Sequence, residues 1–200
     1  MLTSNYISSL VIDNLCKQAY DQKIAVLSLY CDYQAQKDQS AVNMIGGLLR
    51  QVALGAAGIV GEIKNAFNRS KQGGNGLGLP EMLGLFVKTM GSLERVYICV
   101  DAIDELVPQH RSELLRALRQ ITQEAPNTRL FLTGRPHIRG ELDRHLMEGA
   151  YTIHIVPDQG DIARYLTRKM GDDDARDPDL MTENLKNDIM ETMLEKASDM

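Results

Sequence analysis

The sequence predicts an α/β fold with a largely parallel sheet. Three observations lead there. Short apolar runs alternate with longer stretches of helical periodicity along the chain. The runs are almost continuously hydrophobic, as suits strands covered on both faces. The 200-residue chain, 44% apolar and 24% charged, is large enough for one domain with a sizeable core.

Residues 4–18 predict a first helix, with Ile7, Leu10, Val11, Asn14 and Leu15 at helical spacing. Residues 23–31 (KIAVLSLYC) predict a strand. Residues 40–54 predict a second helix, with Val42, Ile45, Leu48, Leu49 and Val52 on one side. Residues 55–67 continue as a further helix weakened by glycines, and residues 71–78 (KQGGNGLG) form a loop. Pro80 suits the first turn of a helix running to Ser92. Residues 95–100 (RVYICV) are the most strand-like stretch. Residues 109–124 are amphipathic, with Leu114, Leu115, Leu118 and Ile121 apolar. Residues 128–133 (TRLFLT) predict another strand, 138–147 a short helix, 151–156 a strand and 161–170 a helix. Residues 171–179 read as an acidic loop, and 180–197 as a closing helix whose methionines (Met181, Met190, Met193, with Met200 beyond) suit packing on a neighbour. About four strands result, with no internal repeat and no linker.

Composition narrows the function classes. A net charge of −5 and a pI near 5.4 argue against nucleic acid as the main partner. No apolar run approaches the roughly 20 residues that span a bilayer, and residues 1–14 lack the basic start and cleavage site of a secretion signal. Cys16, Cys31 and Cys99 form no CxxC pair; lying in apolar runs, they read as buried reduced thiols, which suits a cytoplasmic protein. His110, His137, His145 and His154 lack metal-ligand spacing. Asp172, Asp173, Asp174, Asp177 and Asp179 do not make a calcium loop, because Asp177 stands where such a loop needs glycine.

The chemistry concentrates in two segments. In residues 95–105 (RVYICVDAIDE) an apolar strand ends in Asp101, with Asp104 and Glu105 three and four positions on. Ligands of open parallel sheets bind beyond the carboxyl ends of the strands. A carboxylate there can hold hydrated Mg²⁺ against nucleotide phosphates, which makes Asp101 the candidate metal ligand. Asp104 or Glu105 could orient or deprotonate an attacking water. In residues 128–136 (TRLFLTGRP) a second strand ends in Thr133 and Arg135, and Pro136 sets the turn. Beside the first strand, Thr133 and Arg135 would face the same crevice, and Arg135 could meet a γ-phosphate through its forked donors.

These two segments, "VYICVDAIDEL" and "RLFLTGRPHI", resemble the Walker B (95–105) and sensor 1 (128–136) motifs of NACHT domains in the STAND class of P-loop NTPases. "LSLYCDYQAQKDQSAVNMIGGLLRQV" and "DIARYLTRKM" bring the resemblance closest to fungal NACHT proteins with a nephrocystin-type N-terminal domain. The resemblance implies a partial NACHT domain over residues 1–200, a three-layer P-loop NTPase core. It implies Mg²⁺ and ATP or GTP in the intact parent, with Asp101 on the cation, Asp104 and Glu105 near the water and Arg135 as sensor. It also implies a nucleotide-dependent switch in signal transduction, beside ankyrin or WD40 repeats, working with protein partners or as a self-oligomer, without nucleic acid or membrane.

The family's GxxxxGK[ST] loop has no counterpart, since the chain contains no Gly-Lys dipeptide. The chain begins where the helix after that loop should begin, so the first strand and phosphate loop are expected to be missing, and the C-terminus to stop early. In such sheets that strand lies between the sensor strand and the last one, so its loss should leave unpaired edges. The chain alone is expected not to bind nucleotide. The alternative is a non-catalytic interaction or scaffold fragment that keeps the acids as a relic.

Overall fold

The computed structural model describes residues 2–20, 22–55, 61, 77–146, 150–155, 158–174 and 182–198. Two compact units are present, Met1–Ala150 and Tyr151–Met200.

The first unit opens with helix α1 (Leu2–Ala19) and strand β1 (Ile24–Tyr30). Helices α2 (Ala41–Gly55) and α3 (Leu79–Met90) follow. Strand β2 (Arg95–Asp101), helix α4 (Pro108–Glu124), strand β3 (Thr128–Leu132) and helix α5 (Arg139–Leu146) complete it. The strands make a parallel sheet in the order β1-β2-β3, with Tyr30 opposite Asp101 and Val100 opposite Leu132. The fold is therefore α/β, with a three-stranded parallel sheet flanked by helices.

Strand periodicity explains the layering. Val96, Ile98 and Val100 of β2 join Ile45, Leu48 and Leu49 of α2, Phe86 and Met90 of α3, and Leu114, Leu118 and Ile121 of α4 in one buried cluster. The residues between them turn to the other face, where Cys99 feels the charge of Cys16 and Asp101 accepts a hydrogen bond from Ser8, both on α1. The apolar stripes predicted for α2 and α4 are thus the core faces, although Val42 is only half-buried. Each helix begins or ends within a few residues of its predicted bounds. At α3 the C-terminal turn is tied by Asn127, whose Nδ2 donates to the carbonyls of Met90 (3.0 Å) and Leu93 (2.8 Å).

Several expectations need correction. Of the buried strand predicted over residues 23–31, only Leu27 within β1 is fully buried, because β1 lies at the edge of the described sheet. Leu10, expected on the apolar face of α1, is exposed. The predicted strand over 151–156 does not appear among the described residues 151–155, which carry no regular structure; Tyr151, Ile153 and Ile155 are exposed, and residue 156 lies outside the described set. Strand propensity alone does not make a strand, because the backbone donors and acceptors need a neighbour. Three strands, not four, are described. The predicted helix over 55–67 and loop over 71–78 lie almost wholly outside the described residues.

The second unit contains helices α6 (Gln159–Asp174) and α7 (Glu183–Ser198), packed on each other. The predicted acidic loop is helical through Asp174, and residues 175–179 lie outside the described set. A run of acids does not itself break a helix, and no proline intervenes before Pro178. Of the methionines, Met193 is exposed, while Met181 and Met200 are not described. Among the described residues no helix is long and apolar enough to cross a membrane.

The cysteines also divide. Cys31 and Cys99 are buried, but Cys16 of α1 is exposed, against the expectation for all three. Burial, with smaller contributions from nearby charges, pushes the Cys99 thiol up to about 11 and the Cys31 thiol up to about 12. Both therefore stay protonated and unreactive near neutral pH. A thiol reagent near neutral pH is expected to label the exposed Cys16 quickly in native protein. Cys31 and Cys99 should react only after denaturation, as peptide mass spectrometry would report. Rapid native labelling of Cys31 would contradict this packing.

Candidate functional site

The carboxyl ends of β2 and β3 bring the two predicted segments together. Asp101, the last residue of β2, is 2% exposed. Its Oδ1 accepts hydrogen bonds from two hydroxyls, Ser8 of α1 at 2.5 Å and Thr133, just beyond β3, at 2.5 Å. Thr133 Oγ1 also accepts from the backbone N–H of Ala102 at 2.9 Å. A buried carboxylate is tolerable only with such donors, and charge-assisted bonds of this kind are short.

The chain then turns sharply. Ala102 adopts the left-handed conformation (φ 53°, ψ 45°), the sole positive-φ residue other than glycine among the described residues. That backbone strains a residue with a Cβ, and such strain gathers at functional turns. The turn continues as a short 3₁₀ segment, Ile103–Glu105. Ile103 is fully buried, and its N–H donates to the Thr133 carbonyl at 3.0 Å. Opposite it, a Cβ at Gly134 would meet Ile103 Cγ2 at 3.2 Å and Ile138 Cδ1 at 2.9 Å. Glycine there lets the two turns close on each other.

The other predicted residues occupy different stations. Asp104, with 7% of its side chain exposed, faces Arg135. Its Oδ2 lies 3.4 Å from Arg135 Nε, and its Oδ1 accepts from the Arg135 backbone N–H at 3.2 Å. The Arg135 side chain is 60% exposed. Glu105 turns toward the loop after β1: its Oε2 accepts from the Tyr33 N–H at 3.1 Å, and its carbonyl accepts from Gln36 Nε2 at 2.8 Å. All three acids still act on one place. After burial, the charges of Asp101, Glu105 and Asp104 are what raise the Cys31 thiol.

The acids do not form a carboxylate cage, for among the described residues no three His, Cys, Asp or Glu side chains are grouped to hold a metal. Among the described residues, the oxygens at Asp101 include its own carboxylate and the hydroxyls of Ser8 and Thr133. All are hard oxygens, of the kind Mg²⁺ takes singly while keeping water and phosphate for its other positions. The residues present therefore fit that ion in kind.

Two residues at this end of the sheet escaped the sequence reading. Ser8 is one; a single hydroxyl among the polar residues of a helix leaves no periodic signal, and its partner is 93 residues away. Arg111 is the other. It is 8% exposed at the start of α4 and pairs with Glu141 of α5, Nε to Oε2, at 2.7 Å. Glu141 Oε1 also accepts from Ser112 at 2.8 Å. Burial alone would raise the Glu141 carboxyl, but the hydrogen bonds from Arg111 and Ser112, with the charges of Arg111 and His145, hold it below its usual value. A carboxyl depressed in the folded state contributes stability above its unfolded value, near 4.5, and loses it as pH falls through the folded value. Urea unfolding of the native protein is therefore expected to lose stability more steeply below about pH 4.5 than Glu141→Gln does. Parallel pH profiles would contradict the pairing.

The family model described as Nephrocystin 3, N-terminal, matches residues 5–135, about two thirds of the chain. The matched span runs from α1 through Arg135 and so takes in Ser8, Asp101, Asp104, Glu105, Thr133 and Arg135. No curated protein and no solved structure gives a match.

Proposed function

The chain belongs to the nephrocystin 3 N-terminal family, and we propose that it carries the acid and arginine side of a nucleotide site in a NACHT-type signalling switch of the STAND class. In this reading the intact parent is a P-loop NTPase that binds Mg²⁺ with ATP or GTP and works through protein partners or self-association. This chain alone, lacking any Gly-Lys dipeptide, does not hold nucleotide. The observation that carries the reading is Asp101: a buried carboxylate at the carboxyl end of the middle strand, clamped by the hydroxyls of Ser8 and Thr133.

Each residue then has a task. Asp101, with the Ser8 hydroxyl beside it, holds the cation. Bound Mg²⁺ supplies charge neutralisation at the terminal phosphates. Thr133 orients Asp101 and joins the two strand ends through the Ala102 N–H. Arg135 is exposed enough to leave Asp104 for a γ-phosphate, and the released Asp104 carboxylate can then orient water. Glu105, held by the Tyr33 N–H, supports the acidic turn on the opposite side.

Arg135 provides the test. In a longer chain with a GxxxxGK[ST] segment ahead of residue 1, Arg135→Ala is expected to weaken triphosphate binding by about 10-fold to 50-fold, the worth of a charge-assisted contact. Diphosphate binding should change by less than about 2-fold, since no γ-phosphate is present to lose the contact. Calorimetric titration with each nucleotide separates the cases. Equal losses would remove the sensor role, and failure of the longer chain to bind either nucleotide would favour a scaffold that keeps the acids as a relic.

A further inference from the structure

The Arg111 guanidinium faces two ways at once. On one side its Nη1 donates to the carbonyls of Leu106 at 3.0 Å and Asp104 at 3.3 Å, within the acidic turn. On the other its Nε donates to Glu141 of α5 at 2.7 Å. Helix α5 begins at Arg139, four residues after Arg135. The acidic turn and the arginine segment therefore meet twice, once through Asp104 and Arg135 and once through Arg111 and Glu141.

A buried cation is costly unless its donors find acceptors, and here three acceptors from two segments take the Nε and Nη1 hydrogens. Lysine could not reproduce this arrangement, because a point ammonium lacks the rigid fork that reaches both sides. Packing alone would not call for a charge at this position.

We propose that Arg111 is a positioning residue that holds the acidic turn in register with the arginine segment, so that a shift in either moves the other. Its meaning for nucleotide sensing rests on the function proposed above, but the coupling itself rests on the contacts alone.

Amide hydrogen exchange on the 200-residue chain tests it, using Arg111→Met, Arg111→Lys and Glu141→Gln. The informative amides are Ile103, which donates to the Thr133 carbonyl, and Arg135, which donates to Asp104. Both are expected to exchange about tenfold faster in Arg111→Met, with little rescue by Arg111→Lys, while the β1–β2 ladder keeps its protection. Glu141→Gln should act in the same two places more weakly, and it keeps the test open if Arg111→Met does not fold. A uniform rise across the ladder, or no change at Ile103, would overturn the proposal by reducing Arg111 to general stability. Because no nucleotide is used, this result is independent of whether the longer chain binds ATP or GTP.

Discussion

Phe86→Ala is expected to lower the unfolding free energy by about 3–5 kcal/mol, the range for deleting a fully buried aromatic ring. Phe86 is 0% exposed and lies in the cluster that joins α2, α3 and α4 to β2. Met82, Leu83 and Met90 come from the same helix, so α3 holds its place through a single apolar face. A small domain has only about 5–15 kcal/mol in total, so the variant would be partly unfolded at 37 °C or close to it. Leu10→Ala serves as the contrast. Leu10 is exposed on α1, and its loss should change stability by less than about 0.5 kcal/mol. Urea titration of both variants measures the difference. A Phe86 cost below about 1 kcal/mol would mean that the helices do not pack on the sheet as described.

The same face explains how much of the fold could be read in advance. Ile45, Leu48 and Leu49, like Leu114, Leu118 and Ile121, repeat at helical spacing because both sets pack into the one cluster on the same face of the sheet, and that repeat survives in the sequence. Strand β2 was legible because both its faces are covered, whereas β1 looked more buried than it is: hydrophobicity does not tell an edge strand from a central one. Residues 151–155 misled for a related reason, since their β-branched residues register propensity but not the neighbour that a strand requires.

The candidate site was legible where chemistry and position coincide. Asp101 and Thr133 end adjacent parallel strands, so their meeting follows from topology. Asp104 and Arg135 follow those strands by a few residues and meet as well. Glu105 looked equivalent to Asp104, but the 3₁₀ turn sends it the other way, toward Tyr33. Ser8 and Arg111 were hidden, because a serine or an arginine on an amphipathic helix reads as solvated until tertiary packing buries it.

The largest effect on function is expected at Asp101. In the function proposed above its carboxylate faces the cation, and opposite unit charges about 4 Å apart are worth about 4 kcal/mol at an effective dielectric of 20. Asp101→Asn keeps an oxygen that can accept from Ser8 and Thr133, so the turn should fold, yet the charge is gone. After desolvation offsets part of the loss, Mg²⁺-nucleotide affinity should fall by about 100-fold or more.

Calorimetric titration of Mg²⁺-ATP and Mg²⁺-GTP tests the central claim most directly. It compares the 200-residue chain, a longer chain carrying the phosphate-binding segment, and the longer chain with Asp101→Asn. The account predicts binding by the longer chain alone, and its near-complete loss in the variant with the fold retained. Equal affinity in the longer chain and its Asp101→Asn variant, or tight binding by the 200-residue chain itself, would contradict it.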